Sequence, residues 1–105
     1  MTVIAPTHRL MLMYDINPLH YSSYYRYVLG DFVPTMQKLG LHMIYAWQVV
    51  SDHRPERQID FICEGQDVIY QAIHNERFIR AERRLKSYTQ RYQRKIVIFE
   101  NRFQL

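Results

Sequence analysis

The sequence predicts an α+β domain of order βαββαβ, a four-stranded antiparallel sheet with two helices on one face. Three observations carry that expectation. Residues 41–64 read as two apolar strands around a polar turn, segments of helical period stand before and after them, and an alternating segment lies at each end. All 105 residues are read as one domain, since that length supports one core and not two.

RLMLMYDI (residues 9–16) alternates Leu10, Leu12, Tyr14 and Ile16 against Arg9, Met11, Met13 and Asp15, a strand with one apolar and one mixed face. Asn17 then offers an N-cap, and Pro18 a first helical residue whose missing N–H costs nothing. The helix is expected to reach about residue 39, burying Tyr21, Tyr24 or Tyr25, Val28, Phe32, Met36 and Leu39. Pro34 removes the hydrogen bond to the Gly30 carbonyl, so a kink is expected near Gly30. Gly40 supplies the C-cap.

LHMIYAWQVV (41–50) and RQIDFICE (57–64) form a hairpin about SDHRPE. The first of these strands is apolar on both faces. Strict alternation sets Met43, Tyr45, Trp47 and Val49 against His42, Ile44, Ala46, Gln48 and Val50. Such a hairpin must be covered twice, once by the helices and once by something else. Asp67 is expected to cap the second helix, which buries Val68, Ile69, Ala72 and Ile73. Asn75 resets it with a fresh cap, and Phe78, Ile79, Glu82, Leu85 and Tyr88 continue the stripe. RKIVIFENRF (94–103) closes the pattern, with Ile96 and Ile98 on one face and Val97 and Phe99 on the other. This is the ferredoxin-like plan.

Composition bounds the rest. One cysteine, Cys63, excludes an internal disulfide framework, fits a reducing cytoplasm, and is read as a buried inert thiol. No apolar run reaches the ~18 residues of a membrane span, and MTVIAPTHR reads as a short leader rather than a secretory signal. The net charge of +4 sits in the second half, in Arg77, Arg80, Arg83, Arg84, Lys86, Arg91, Arg94 and Lys95. A solvated helix face is the ordinary account of such a cluster. Nucleic acid is not the expected partner. Strand 57–64 carries Asp60 and Glu64 and lacks the glycine of an aromatic RNA-recognition signature, while Glu76 and Glu82 interrupt the basic helix.

Two helices cover one side of the sheet. By parity the other side presents Met11, Met13, Ile62, Tyr45 and Trp47 among Asp15, Asp60 and Glu64. Four strands of some 20 Å at about 4.8 Å spacing make a face of roughly 400 Å². Pairing two such faces hides on the order of 800 Å², at most ~20 kcal/mol gross. Association costs roughly 4–15 kcal/mol. Burial wins, and a homodimer with facing sheets is expected.

LMLMYDI, the helix end DFVPTMQKLGL leading into IYAWQVV, and DVIYQAIHNERFIRAERRLKSY leading into RKIVIF resemble the dimeric α/β-barrel superfamily, and within it the NIPSNAP-like members. The resemblance covers residues 9–99 and implies ferredoxin-like subunits paired into a barrel. That superfamily holds oxygenases, isomerases, haem binders and proteins of no known activity, so it names no single chemistry. Its haem monooxygenases use a histidine four residues after the helix phenylalanine. With Phe78 in that role the matching position is Glu82, and haem is not expected.

Its cofactor-free oxygenases act on substrates that supply their own electrons. The resemblance therefore implies a small hydrophobic or aromatic ligand without metal or cofactor. Trp47, Tyr45 and Tyr14 would stack on a planar ligand while Asp15 or Asp60 accepts a proton. The catalytic candidates are Asp15, Tyr14 and Asp60, and the ligand-binding candidates are Trp47, Tyr45, His42 and Met13. Each has a plainer role. Trp47 and Tyr45 suit a dimer core, and Asp15 suits an ion pair with Arg9 or Arg94. His8, His20 and His53 fall where solvated histidine is ordinary, His74 ends a helix turn, and no two histidines have metal-binding spacing. The alternative to a ligand-binding or oxygenase/isomerase-type dimer is a structural or regulatory homodimer without catalysis.

Overall fold

Residues 8–48 and 57–98 are described by the structure, a computed structural model. β1 (His8–Ile16) lies inside the sheet, and its alternation turns one apolar face toward the helices. β3 (Arg57–Cys63) pairs on one side of it and β4 (Thr89–Ile98) on the other, while β2 (His42–Gln48) extends the sheet beyond β3. All three pairings are antiparallel, in the order β2-β3-β1-β4. Leu10, Leu12, Tyr14 and Ile16 of β1, with Ile59, Phe61 and Cys63 of β3, are buried beneath the helices.

The chain between β1 and β2 is helical but not uniform. Asn17 caps it as expected, its Oδ1 accepting from Leu19 N–H at 3.1 Å, and Pro18 opens a single 3₁₀ turn, Pro18–His20. α1 (Tyr21–Tyr27) follows, then a π-helical segment Val28–Phe32, then α2 (Val33–Lys38). The distortion expected near Gly30 takes this π form. Val33 N–H bonds to the Val28 carbonyl five residues back, a widening that accommodates the N–H missing at Pro34. The extra residue per turn rotates the buried stripe. Tyr24, Tyr27, Val28, Phe32, Val33 and Met36 are buried, whereas Tyr21 and Tyr25 are exposed.

Gly40 ends this stretch with φ +87°, its N–H bonding to Gln37 O at 3.0 Å and Leu41 N–H to Met36 O at 2.9 Å. These two bonds make a Schellman close. A Cβ on Gly40 would lie 2.9 Å from Val68 Cγ1, so backbone angle and packing both demand glycine. Gly40→Ala is expected to cost about 2 kcal/mol and lower Tm by roughly 8–16 °C, read by thermal circular dichroism.

Four expectations are corrected. α3 (Gln66–His74) starts earlier than Asp67, with Gly65 at its N-cap and no side-chain cap; Asp67 sits in the first turn, where its charge favours the helix N-terminus. β4 begins at Thr89 rather than residue 94. Its first half, TQRYQ, is polar because an edge strand is half-solvated, and that hid it from a hydrophobicity reading. A bulge in β2 between Met43 and Tyr45 breaks the strict alternation. His42 opposes Ile62 and Tyr45 opposes Asp60, whereas Met43 opposes Phe61 and Ala46 opposes Ile59. His42 therefore joins the face it was expected to avoid, and Met43 turns to the helix side. The first expected helix is also divided, into the 3₁₀ turn, α1, the π segment and α2. Asn75 breaks the second as predicted, accepting from Arg77 N–H at 2.8 Å to start α4 (Glu76–Ser87). The turn 51–56, Val49, Val50 and Phe99 lie outside the described residues.

Candidate functional site

Alternation along β1 sends neighbouring residues to opposite faces, and this splits the predicted site. Tyr14 lies on the helix side, fully buried, its hydroxyl 2.5 Å from that of Tyr24 and its ring stacked on Tyr92 at 6.0 Å. Met13 and Asp15 lie on the opposite, uncovered face. Asp15 sits at a bulge where β1 and β4 shift register, and Arg91, with a left-handed φ of 54°, donates from Nε to its carboxylate. Arg91 is thus a partner of Asp15 that the sequence reading did not name. Arg94 instead pairs with Glu82 at 3.0 Å, and Glu82 also accepts from the Tyr92 hydroxyl at 2.8 Å.

Asp60 stands on the uncovered face and yet is 0% exposed. Gln58 Nε2 donates to its Oδ1 at 3.0 Å and Arg9 Nη1 lies 3.7 Å from Oδ2. Among the described residues Oδ2 has no hydrogen-bond partner. Met11 opposes Asp60 from β1 and Tyr45 from β2, and Trp47 opposes Gln58. The side chains of Tyr45 and Trp47 lie outside the described set. The uncovered face therefore gathers Met13, Asp15, Asp60, His42 and the positions of Tyr45 and Trp47, and excludes Tyr14. β4 adds Gln93, Lys95 and Val97 opposite Met13, Met11 and Arg9, which makes this face more polar than the sequence suggested.

A cavity of about 150 Å³ lies on the other side, between the helices and strands β2 and β3. Val28, Leu29, Val33, Met43, Ala46 and Ile59 make its walls apolar; Tyr24, Tyr25 and Arg57 supply its polar groups. The π segment turns Val28 and Leu29 toward it, and the β2 bulge brings Met43 to the same side. Arg57 donates to the Tyr25 hydroxyl and lies over the Tyr25 ring at 5.4 Å. Its Nε is buried and without an acceptor among the described residues. Burial pushes Tyr24 up to about 12, and burial together with the adjacent Tyr24 raises Tyr14 beyond the ordinary phenol range. Both phenols are therefore proton donors, not bases, at neutral pH.

Sequence reasoning left a small apolar cavity open either between the sheets or between sheet and helices, but named none of these lining residues for it. The signal was Arg57, which shares parity with Ile59, Phe61 and Cys63, a charge on an otherwise apolar face. The remaining candidates have structural roles. His74 caps back to the Tyr70 carbonyl at 2.8 Å, and burial raises the Cys63 thiol, which bonds to the Gly65 carbonyl. No group of three metal-ligating side chains occurs among the described residues. No helix among them is long and apolar enough to cross a membrane.

No family model and no curated protein matches the sequence. Solved structures do match. An ethyl tert-butyl ether d (EthD) family protein from Bacillus halodurans superposes with TM-score 0.66 at 11% identity, over 87% of this chain and 96% of that one. A dimeric ferredoxin-like protein from an uncultured marine organism gives TM-score 0.64 at 13% identity, over 96% and 94%. The fold is ferredoxin-like. A NIPSNAP family protein from Agrobacterium tumefaciens gives TM-score 0.58 at 13% identity, over 96% and 93%, so the likeness read from the sequence extends to three dimensions. At these identities the ferredoxin-like architecture is what the chains share.

Proposed function

We propose that this protein is a homodimer, paired through the uncovered sheet faces into an α/β barrel, in which each subunit binds a small, mostly apolar ligand between sheet and helices. The cavity beside Arg57 carries this reading. Its volume of about 150 Å³ suits a benzene-sized molecule. The unpaired Arg57 Nε calls for one acceptor on that molecule, since a buried donor left unpaired costs roughly 1–3 kcal/mol. Dimeric ferredoxin-like neighbours support the pairing.

p-Cresol combines a ring with one hydroxyl and is a suitable probe. Titrated into the isotopically labelled protein, it is expected to move the methyl resonances of Val28, Val33 and Ile59 saturably. Ala46→Phe fills the space and should weaken binding at least about tenfold, given the loss of a cavity able to hold a ring. If Ala46→Phe binds p-cresol as tightly as the parent, the ligand site is elsewhere. A protein that stays dimeric and binds no such probe fits the alternative, a structural or regulatory homodimer.

An oxygenase or isomerase reading rests on a different observation, the Oδ2 of buried Asp60, which has Arg9 at 3.7 Å but no hydrogen-bond partner among the described residues. No carboxylate lines the cavity beside Arg57 among the described residues. A catalytic base would therefore act in the space between the two sheets, with Asp60 accepting the proton and Asp15, Met13 and His42 nearby. Native mass spectrometry of the parent and Asp60→Asn separates the cases. A small molecule retained by the parent dimer and lost from an intact variant dimer supports this second site, and equal retention removes it.

A further inference from the structure

A second concavity, of about 470 Å³, opens between the π segment with α2 and the outer side of α4. Its lining holds Lys38, Arg77, Arg80 and Arg84 against the single carboxylate of Asp31. Arg77, Arg80 and Arg84 recur at three- and four-residue spacing, so they share one stripe of α4, where like charges repel. Glu76 neutralises Arg80 at 2.5 Å, and Arg84 lies 3.8 Å from Asp31. Among the described residues Arg77 and Lys38 form no ion pair within 4 Å. The concavity thus has a surplus of positive charge that the fold does not balance.

One of these cations is held in place. The Arg84 guanidinium lies over the Tyr27 ring at 4.5 Å and its Nε donates to the Tyr88 hydroxyl at 3.4 Å. Tyr27 is itself fixed, its hydroxyl donating to the Ala81 carbonyl at 2.8 Å. A planar guanidinium fixed in this way loses little freedom when it meets a doubly charged oxyanion. The π segment carries Asp31 onto this cleft beside Tyr27, the last residue of α1, and π distortions are frequent at functional sites.

We propose that this cleft binds the phosphate end of a small phosphorylated molecule, a site separate from the apolar cavity beside Arg57. Nucleic acid fits less well. Arg84 already covers the face of Tyr27, which leaves no free ring there for a base to stack on, and the cationic row is one cleft long. Asp31 sets the sign of a decisive test. Its charge opposes that of the phosphate, so neutralising it should tighten binding, whereas a purely solvated face would not respond.

Pyrophosphate, titrated at constant ionic strength into the full chain and followed by backbone amide resonances, is the probe. Saturable shifts confined to residues 27–38 and 75–84 are expected. Lys38→Gln with Arg77→Gln, both exposed and therefore compatible with folding, should weaken binding about tenfold or more. Asp31→Asn should tighten it about threefold, the size of a screened charge pair several ångströms apart. Chloride at matched ionic strength giving the same shifts would overturn the proposal, and so would unchanged affinity in the double variant or in Asp31→Asn. A single-stranded oligonucleotide binding more than about a hundredfold tighter than pyrophosphate would also overturn it, in favour of a polyanion track.

Discussion

Met11→Glu combined with Met13→Glu is expected to convert the protein from twice its 12.9 kDa chain mass to single chains in sedimentation at micromolar concentration. Both methionines stand on the uncovered side of β1, half-buried, opposite Asp60 and Gln58. In a two-fold dimer each change occurs twice, so four buried methionines are lost. At about 1.5 kcal/mol each that is some 6 kcal/mol, or roughly four orders of magnitude in dissociation constant. Four carboxylates facing one another add repulsion, with Asp15 and Asp60 already on that face. The helix-side core is untouched, so far-ultraviolet circular dichroism should be unchanged. A double variant that still sediments at twice the chain mass would place the dimer contact elsewhere, and with it the inter-sheet space assigned to Asp60.

The second large effect is alkaline unfolding. Tyr14, Tyr24 and Tyr27 are almost fully buried, and burial raises all three phenols, Tyr24 and Tyr27 to about 12. These groups bind their protons more tightly in the folded chain than in the unfolded one, where a phenol titrates near 10. Their contribution to stability is therefore complete below pH 10 and falls as pH rises toward the folded values. Each phenol contributes a slope of about 1.4 kcal/mol per pH unit in that window, so three together remove about 4 kcal/mol per unit. That is a large part of the 5–15 kcal/mol typical of a domain. Absorbance of tyrosinate at about 295 nm should show the buried phenols ionising together with loss of circular dichroism between pH 10 and 12. Gradual ionisation of all tyrosines with the helical signal intact would show that the buried phenols are not held as described.

The sequence by itself determined the strand and helix order, the helix side of β1 and β3, and the breaks at Asn17, Gly40 and Asn75. Each of these follows from local chemistry: alternation of apolar residues, a capping side chain, a backbone angle open only to glycine. It also located the distortion at Pro34, because one missing N–H is a local fact. Only the tertiary structure decided which candidates share a face. The β2 bulge is set by pairing with β3, so it moved His42 and Met43 to opposite sides from those strict alternation gives them. The pairing of Arg91 with Asp15 was likewise out of reach, because the two meet only through the register shift between β1 and β4. The Arg57 cavity and the cationic cleft each need side chains from segments distant in the chain, brought together by packing the helices on the sheet. A period in the sequence tells which way a side chain leaves its own strand or helix, while a site depends on what stands across from it.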